Sequence, residues 1–275
     1  MTGRLFPALL RYWRDCRGIS QLDLAISAGV SARHVSFLES GRSKPSRAMV
    51  LRLMVALDVP LREQNQILLA AGFPAEFPEP GLDEVAPAVE QAISRMMQQQ
   101  EPYPLIVLSG GYDILRSNQA ARTVFAHFVA EPDRLPTPLN MFSLLFDPDL
   151  ARPFVTDWPH VGHRMIARLH RETLQGRPDD RLRALIQRTL AYPDVPPGWR
   201  RPDFSAHGGS TLEIRLQRGD LRVGFLTTIT MFSEPQQVTL DELRIESYFP
   251  LDEATRSACL RWADGSPADR IPSPL

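Results

Sequence analysis

The stretch SQLDLAISAGVSARHVSFLESGRSKPS, residues 20–46, restricts the fold more than any other part of this chain. Ser20 caps a helix over QLDLAISAG, with Asp23 at the third helical position as a variant of the capping box. Gly29 suits the left-handed residue that ends a helix. Ser31 caps a second helix, ARHVSFLES, which stops at Gly41. The flanks supply further helices. Leu5, Leu9, Leu10, Trp13 and Cys16 recur at helical spacing before Gly18. Ser46 opens RAMVLRLMVALD, with Met49, Leu53, Ala56 and Leu57 on one face. Pro60 opens LREQNQILLAAG, closed by Gly72. Five helices in residues 1–72, the middle pair joined by a short glycine turn, predict an all-α helix-turn-helix domain.

The charge is divided along the chain. Residues 1–72 hold ten Arg/Lys and five Asp/Glu, a net charge of +5; the other 21 basic and 27 acidic residues give the remainder −6. A basic head on an acidic body points to a polyanionic partner for the head alone. At 275 residues the chain has room for two domains. Cys16 and Cys259 lie far apart with no metal-ligand spacing, which argues against a disulfide framework and a zinc site. No apolar run is long enough for a signal peptide or a membrane span, so a cytoplasmic protein with no membrane partner is expected.

Residues 73–81, FPAEFPEPG, hold three prolines and read as a stiff linker. A second domain is expected over 82–275. It opens with a helix over 82–100, striped by Leu82, Val85, Val89, Ala92, Ile93 and Met96. Leu105–Leu108 and Tyr112–Arg116 read as strands around Gly110-Gly111, and Asn118 caps the helix QAARTVFAHF. Residues 140–191 read as helical pieces broken at Pro148 and Pro153 and before Pro178. Two strands follow in TLEIRLQRGDLRVGFLTTITMF, with Leu212, Ile214 and Leu216 on one face, and a last strand in 243–249. This order predicts an antiparallel sheet with helices to one side, an α+β domain.

The head resembles the XRE/Cro-type helix-turn-helix family. The likeness lies in Gln21 after the cap, Ala25, Gly29, Val35, Leu38 and the Glu39-x-Gly41 ending. The continuation RAMVLRLMVALDVPLREQNQILLAAGF resembles a narrower group, the MmyB-like transcription regulators. Their PAS-like second domain is matched here in EPYPLIVLSGGYDILRSNQAA and VTLDELRIESYFPLDEAT. The resemblance implies a DNA-binding regulator that grips a palindromic double-stranded operator as a homodimer. It places Ala32, Arg33 and Phe37 at base-facing positions, with His34 and Ser36 beside them. Arg33 suits guanine, and Phe37 and Ala32 suit a thymine methyl. Gln21, Ser31, Arg42, Ser43, Lys44 and Arg47, at helix starts or in the following loop, suit phosphates.

For the body the resemblance implies a small hydrophobic, fatty-acyl-like ligand and no obligatory cofactor. Phe125, Phe128, Met141, Phe142, Phe154 and Trp158 are candidate walls of its pocket, with His163 and Arg164 as the anchor for an acidic head group. The alternative is a ligand-free module for dimerisation or contact with RNA polymerase. Neither catalysis nor a metal is expected. The motif His160-Val-Gly-His163, with His170 downstream, lacks the HExxH glutamate, and no GxSxG, P-loop or GxGxxG follows a strand.

Overall fold

The computed structural model of the chain describes residues 5–175, 180–202 and 212–265. The chain divides into two compact units. The first comprises residues 1–80 with 173–179 and 234–241; the second comprises 81–172, 180–233 and 242–275.

The first unit is built on five helices: α1 (Leu5–Cys16), α2 (Gln21–Ser27), α3 (Ala32–Glu39), α4 (Arg47–Ala56) and α5 (Leu61–Ala70). Their starts are set by the expected serines. Ser20, Ser31 and Ser46 accept hydrogen bonds from the backbone N–H groups of Asp23, His34 and Met49, and Asp23 completes the capping box. Pro60 has no capping side chain, and the Leu61 N–H instead donates to Asp241 at 3.0 Å. Gly29 and Gly41 end α2 and α3 at φ values of 63° and 72°, a region open to glycine at no steric cost. Trp13, Leu24, Val35, Leu38, Leu53 and Ile67 meet in a core from which water is excluded. On α4 the buried stripe is Val50, Leu53, Met54 and Leu57; Met49 and Ala56 lie at its margin. The stretch expected to be a linker is instead held on α5. The Asn65 side chain accepts from the N–H groups of Glu76 and Phe77 and donates to the Phe77 carbonyl.

The second unit holds one antiparallel sheet of β1 (Leu105–Leu108), β2 (Ile114–Ser117), β3 (Leu212–Arg218), β4 (Leu221–Thr230) and β5 (Arg244–Pro250), in the order β2-β1-β5-β4-β3. The helices are α6 (Pro87–Gln100), α7 (Gln119–Phe128), α8 (Met141–Phe146), α9 (Trp158–Gln175), α10 (Asp180–Leu190), α11 (Val238–Glu242) and α12 (Glu253–Ala263). The division places all of α11 except Glu242 with the first unit. The α+β arrangement is the one expected.

Several bounds differ from the sequence reading. The helix expected from 82 starts at Pro87, a residue suited to a first helical turn, after a 3-10 turn at Leu82–Glu84. The strand expected from Tyr112 starts at Ile114, because Tyr112 takes φ 67° in the turn. Helices α11 and α12 were not foreseen. The expected break before Pro178 lies outside the described residues, as do residues 203–211.

Leu38 is fully buried between the helices of the first unit. Leu38→Ala is expected to cost about 2–5 kcal/mol of stability, read as a lowered urea midpoint.

Candidate functional site

The first candidate surface is the exposed side of α3. Val35 and Leu38 are fully buried and hold the helix against the core. Arg33 is then exposed, while Ala32, His34, Ser36 and Phe37 are half-buried beside it. All five sequence-predicted base readers thus lie on one short helix. The rotation is set by a second contact. Glu39, 4% exposed, receives Arg14 Nε from α1 at 2.6 Å and Gln21 Nε2 from α2 at 2.8 Å. Burial pushes the Glu39 carboxyl up. Hydrogen bonds from Arg14 and Gln21, with the charges of Arg14 and Arg11, outweigh this and hold it below the ordinary carboxylate range.

The residues suited to phosphate surround this helix in different states. Gln21 spends one amide hydrogen on Glu39 and has a second. Ser31 accepts the His34 N–H and keeps its own hydroxyl hydrogen for donation. Lys44 and Arg42 are exposed, and Ser43 is half-buried, in the loop between α3 and α4. Arg47 is paired with Glu76. An exposed cationic loop beside the start of a helix is a ready anion site.

The second candidate site lies between one face of the sheet and α7, α8 and α9. Strand register puts Ile106, Ile214, Phe225, Thr227, Glu246 and Tyr248 on that face. Two chambers open there. One is apolar and walled by Phe125 and Phe128 of α7 and Met141 and Leu145 of α8 over Ile214 and Phe225. The other carries Arg164, Arg168 and Arg171 from α9, with Phe142, Thr227 and Glu246. Met141, Leu145, Ile214 and Tyr248 line both, so the chambers adjoin. Apolar walls with a few polar groups suit a small ligand.

The polar chamber is ordered by two carboxylates. Glu172 accepts from the Tyr112 hydroxyl at 2.6 Å, from Arg168 at 3.1 Å and from Arg244 at 3.1 Å. Glu246, 6% exposed, accepts from the Tyr248 hydroxyl at 3.0 Å and Arg168 at 3.4 Å. Burial first, then the Glu172 charge, pushes the Tyr112 phenol far up; burial and Glu246 do the same for Tyr248. Both tyrosines therefore stay protonated and donate.

Of the pocket residues expected from sequence, Phe125, Phe128, Met141, Phe142 and Arg164 line these chambers. Phe154, Trp158 and His163 line neither. Phe154 packs edge-on to Phe128. The Trp158 ring packs on Phe146, and its indole N–H donates to the Leu145 carbonyl at 2.7 Å. His163 lies 5.5 Å from the Trp199 ring. The reason is helical phase: on α9, positions 161, 164, 165, 168 and 171 face the chambers, and 163 does not. Arg168 and Arg171 were missed, although Arg164, Arg168 and Arg171 follow one another at helical spacings of four and then three residues. Tyr112, Glu246 and Tyr248 carried no local signal. His170 meets the Trp199 carbonyl at 3.0 Å. Among the described residues no three His, Cys, Asp or Glu side chains come together to hold a metal ion, and no helix is long and apolar enough to cross a membrane.

Comparison with known proteins gives two family matches. Residues 10–64 match a helix-turn-helix family model, and residues 89–261 match the model of the MmyB-like transcription regulator ligand binding domain. No curated protein matches the chain. A solved structure described as "Structure of an RNA-binding Light-Oxygen-Voltage Receptor" aligns at 15% identity and a TM-score of 0.29, covering 94% of this chain. This chain spans 57% of that one.

Loss of the Glu39 contacts should show in the pH dependence of stability. A carboxyl lowered in the folded state stabilises at neutral pH, and that contribution is lost as the pH falls through and below the ordinary carboxylate range. Glu39→Ala is expected to cost about 3 kcal/mol at pH 7 and to flatten the acid limb of the urea-midpoint profile. An unchanged acid limb would show that another group sets it.

Proposed function

Because this chain belongs to the MmyB-like transcription regulators through the ligand-binding domain that makes up most of its length, we propose that it is a one-component switch: its helix-turn-helix head binds a specific operator, and its body senses a small hydrophobic ligand with an acyl chain. At the coarser level, the chain is a DNA-binding transcription regulator with a ligand-binding domain. Both matched families are regulatory ones.

The observation that carries the operator reading is the exposed Arg33 on a helix whose inner face is locked by Val35, Leu38 and Glu39. A guanidinium held there can bond guanine O6 and N7 together in the major groove. Arg42, Ser43 and Lys44 supply backbone contacts, which set register and carry no sequence information. One such head offers few base contacts. Two heads on a palindrome, about one DNA turn apart, supply the rest, so the working form is a homodimer.

The ligand reading is supported by the apolar chamber adjoining three arginines. An acyl chain fits the first, and its carboxylate fits Arg164 and Arg171 at the second. Phenylalanine walls reward burial of methylenes at about 0.8 kcal/mol each.

Two experiments test these readings. In fluorescence anisotropy, Arg33→Ala is expected to lower affinity for a selected operator by about 1–3 kcal/mol and leave random DNA unaffected, while Lys44→Ala weakens both alike. Equal losses for both variants on both DNAs would sink the assignment. For the body, mass spectrometry of an organic extract of the purified protein is expected to yield an acyl compound, and Ala121→Phe, which fills the apolar chamber, to remove it. An empty protein whose DNA affinity ignores added fatty acids would favour a pure dimerisation or polymerase-contact module.

A further inference from the structure

The exposed side of α3 carries one arrangement that a helix-turn-helix does not require. The Arg33 guanidinium lies over the Phe37 ring, 5.1 Å from its centroid, and the Arg42 guanidinium lies over the same ring at 5.9 Å. Both fall within the range of a cation–π contact. Local geometry builds the stack. Arg33 and Phe37 are four residues apart on one helix and share a face. Arg42 reaches the ring because Gly41 turns the chain back, and the N–H groups of Arg42 and Ser43 both donate to the Phe37 carbonyl, at 2.9 and 3.2 Å. Among the described residues neither arginine has a carboxylate partner, and both are exposed. Two cations on one ring repel each other, so the stack suits a polyanion that neutralises both. Phe37 itself keeps an exposed part.

Resting on the operator reading above, we propose that Phe37 is a positioning and specificity-determining residue. Its ring holds Arg33 at a guanine edge and Arg42 at the phosphate backbone, and its free edge meets a thymine methyl. Four helical residues span about 6 Å, and successive base pairs lie about 3.4 Å apart. Each operator half-site therefore places a T·A pair within about two base pairs of the G·C pair that Arg33 reads.

The test uses the full chain and an operator selected from a random DNA pool. Each thymine is replaced singly by deoxyuridine, which removes only the methyl, and each guanine by 7-deazaguanine, which removes only N7. With the unaltered protein, one thymine per half-site is expected to cost about fourfold in affinity on losing its methyl, within two base pairs of a guanine sensitive to loss of N7. In Phe37→Ala the methyl penalty disappears and the N7 penalty shrinks. In Phe37→Leu the methyl penalty stays while the N7 penalty shrinks, because leucine contacts a methyl but holds no cation. A selected operator in which no thymine near the sensitive guanine responds to loss of its methyl overturns the proposal, whatever the variants do. Penalties unchanged in a folded Phe37→Ala overturn it as well. A pool that yields no preferred sequence would instead sink the operator reading and this inference with it.

Discussion

The geometry of the first unit depends on one buried carboxylate. Glu39 ends α3 and is gripped by Arg14 of α1 and Gln21 of α2. Val35 and Leu38 also hold α3, but apolar contact is non-directional and tolerates rotation about the helix axis. A rotation by one residue, about 100°, would carry Arg33 and Phe37 away from the surface they share. Directional bonds to a charge remove that freedom. A buried ion pair adds little net stability against an apolar substitute, so its contribution here is orientation. The same reasoning explains why the turn residues matter. Gly29 and Gly41 fix where α3 starts and how the chain leaves it, and the second of these brings Arg42 back onto Phe37.

The second unit solves a related problem with a different device. The apolar chamber adjoins a charged one, and charges near apolar walls are costly unless paired. Glu172 takes donors from three parts of the unit: Tyr112 before β2, Arg168 on α9 and Arg244 on β5. Glu246 adds Tyr248 and shares Arg168. The network ties α9 to the sheet across the polar chamber. It also keeps Arg168 engaged within the protein, whereas Arg171 is exposed. The arginines at positions 164, 168 and 171 are therefore not equivalent, although their spacing makes them look so.

Legibility followed the range of the interactions. Caps, glycine stops and i, i+4 neighbours are local, so Ser20, Ser31, Ser46, Gly29 and Gly41 could be read directly. The α3 surface followed from them. The body's site is made by strands from both ends of the domain, with Ile106 opposite Glu246. Residues separated by more than a hundred positions meet only through sheet register, and no local pattern announces that. The histidines of α9 drew attention as a chemical cluster, yet helical phase gave the chamber to the arginines. Phe154 and Trp158 were indistinguishable by composition from Phe125 and Phe128, since wall and core are built from the same side chains.

That last ambiguity has a physical basis. Phe128, Phe142 and Phe225 are about 1% exposed and serve the core as well as the chambers. Empty space beside them forfeits dispersion contacts that a close-packed interior would have. A ligand that fills the space restores those contacts and, binding only the folded state, adds stability by mass action. Filling of this space and the order of the core are thus coupled, and a change in the chamber walls must also repack the core. On α3 the opposite holds. Arg33 is exposed, and substitution there leaves Val35, Leu38 and Glu39 in place. Substitution on the exposed side of α3 therefore costs little stability, while substitution at the chamber walls disturbs the core itself.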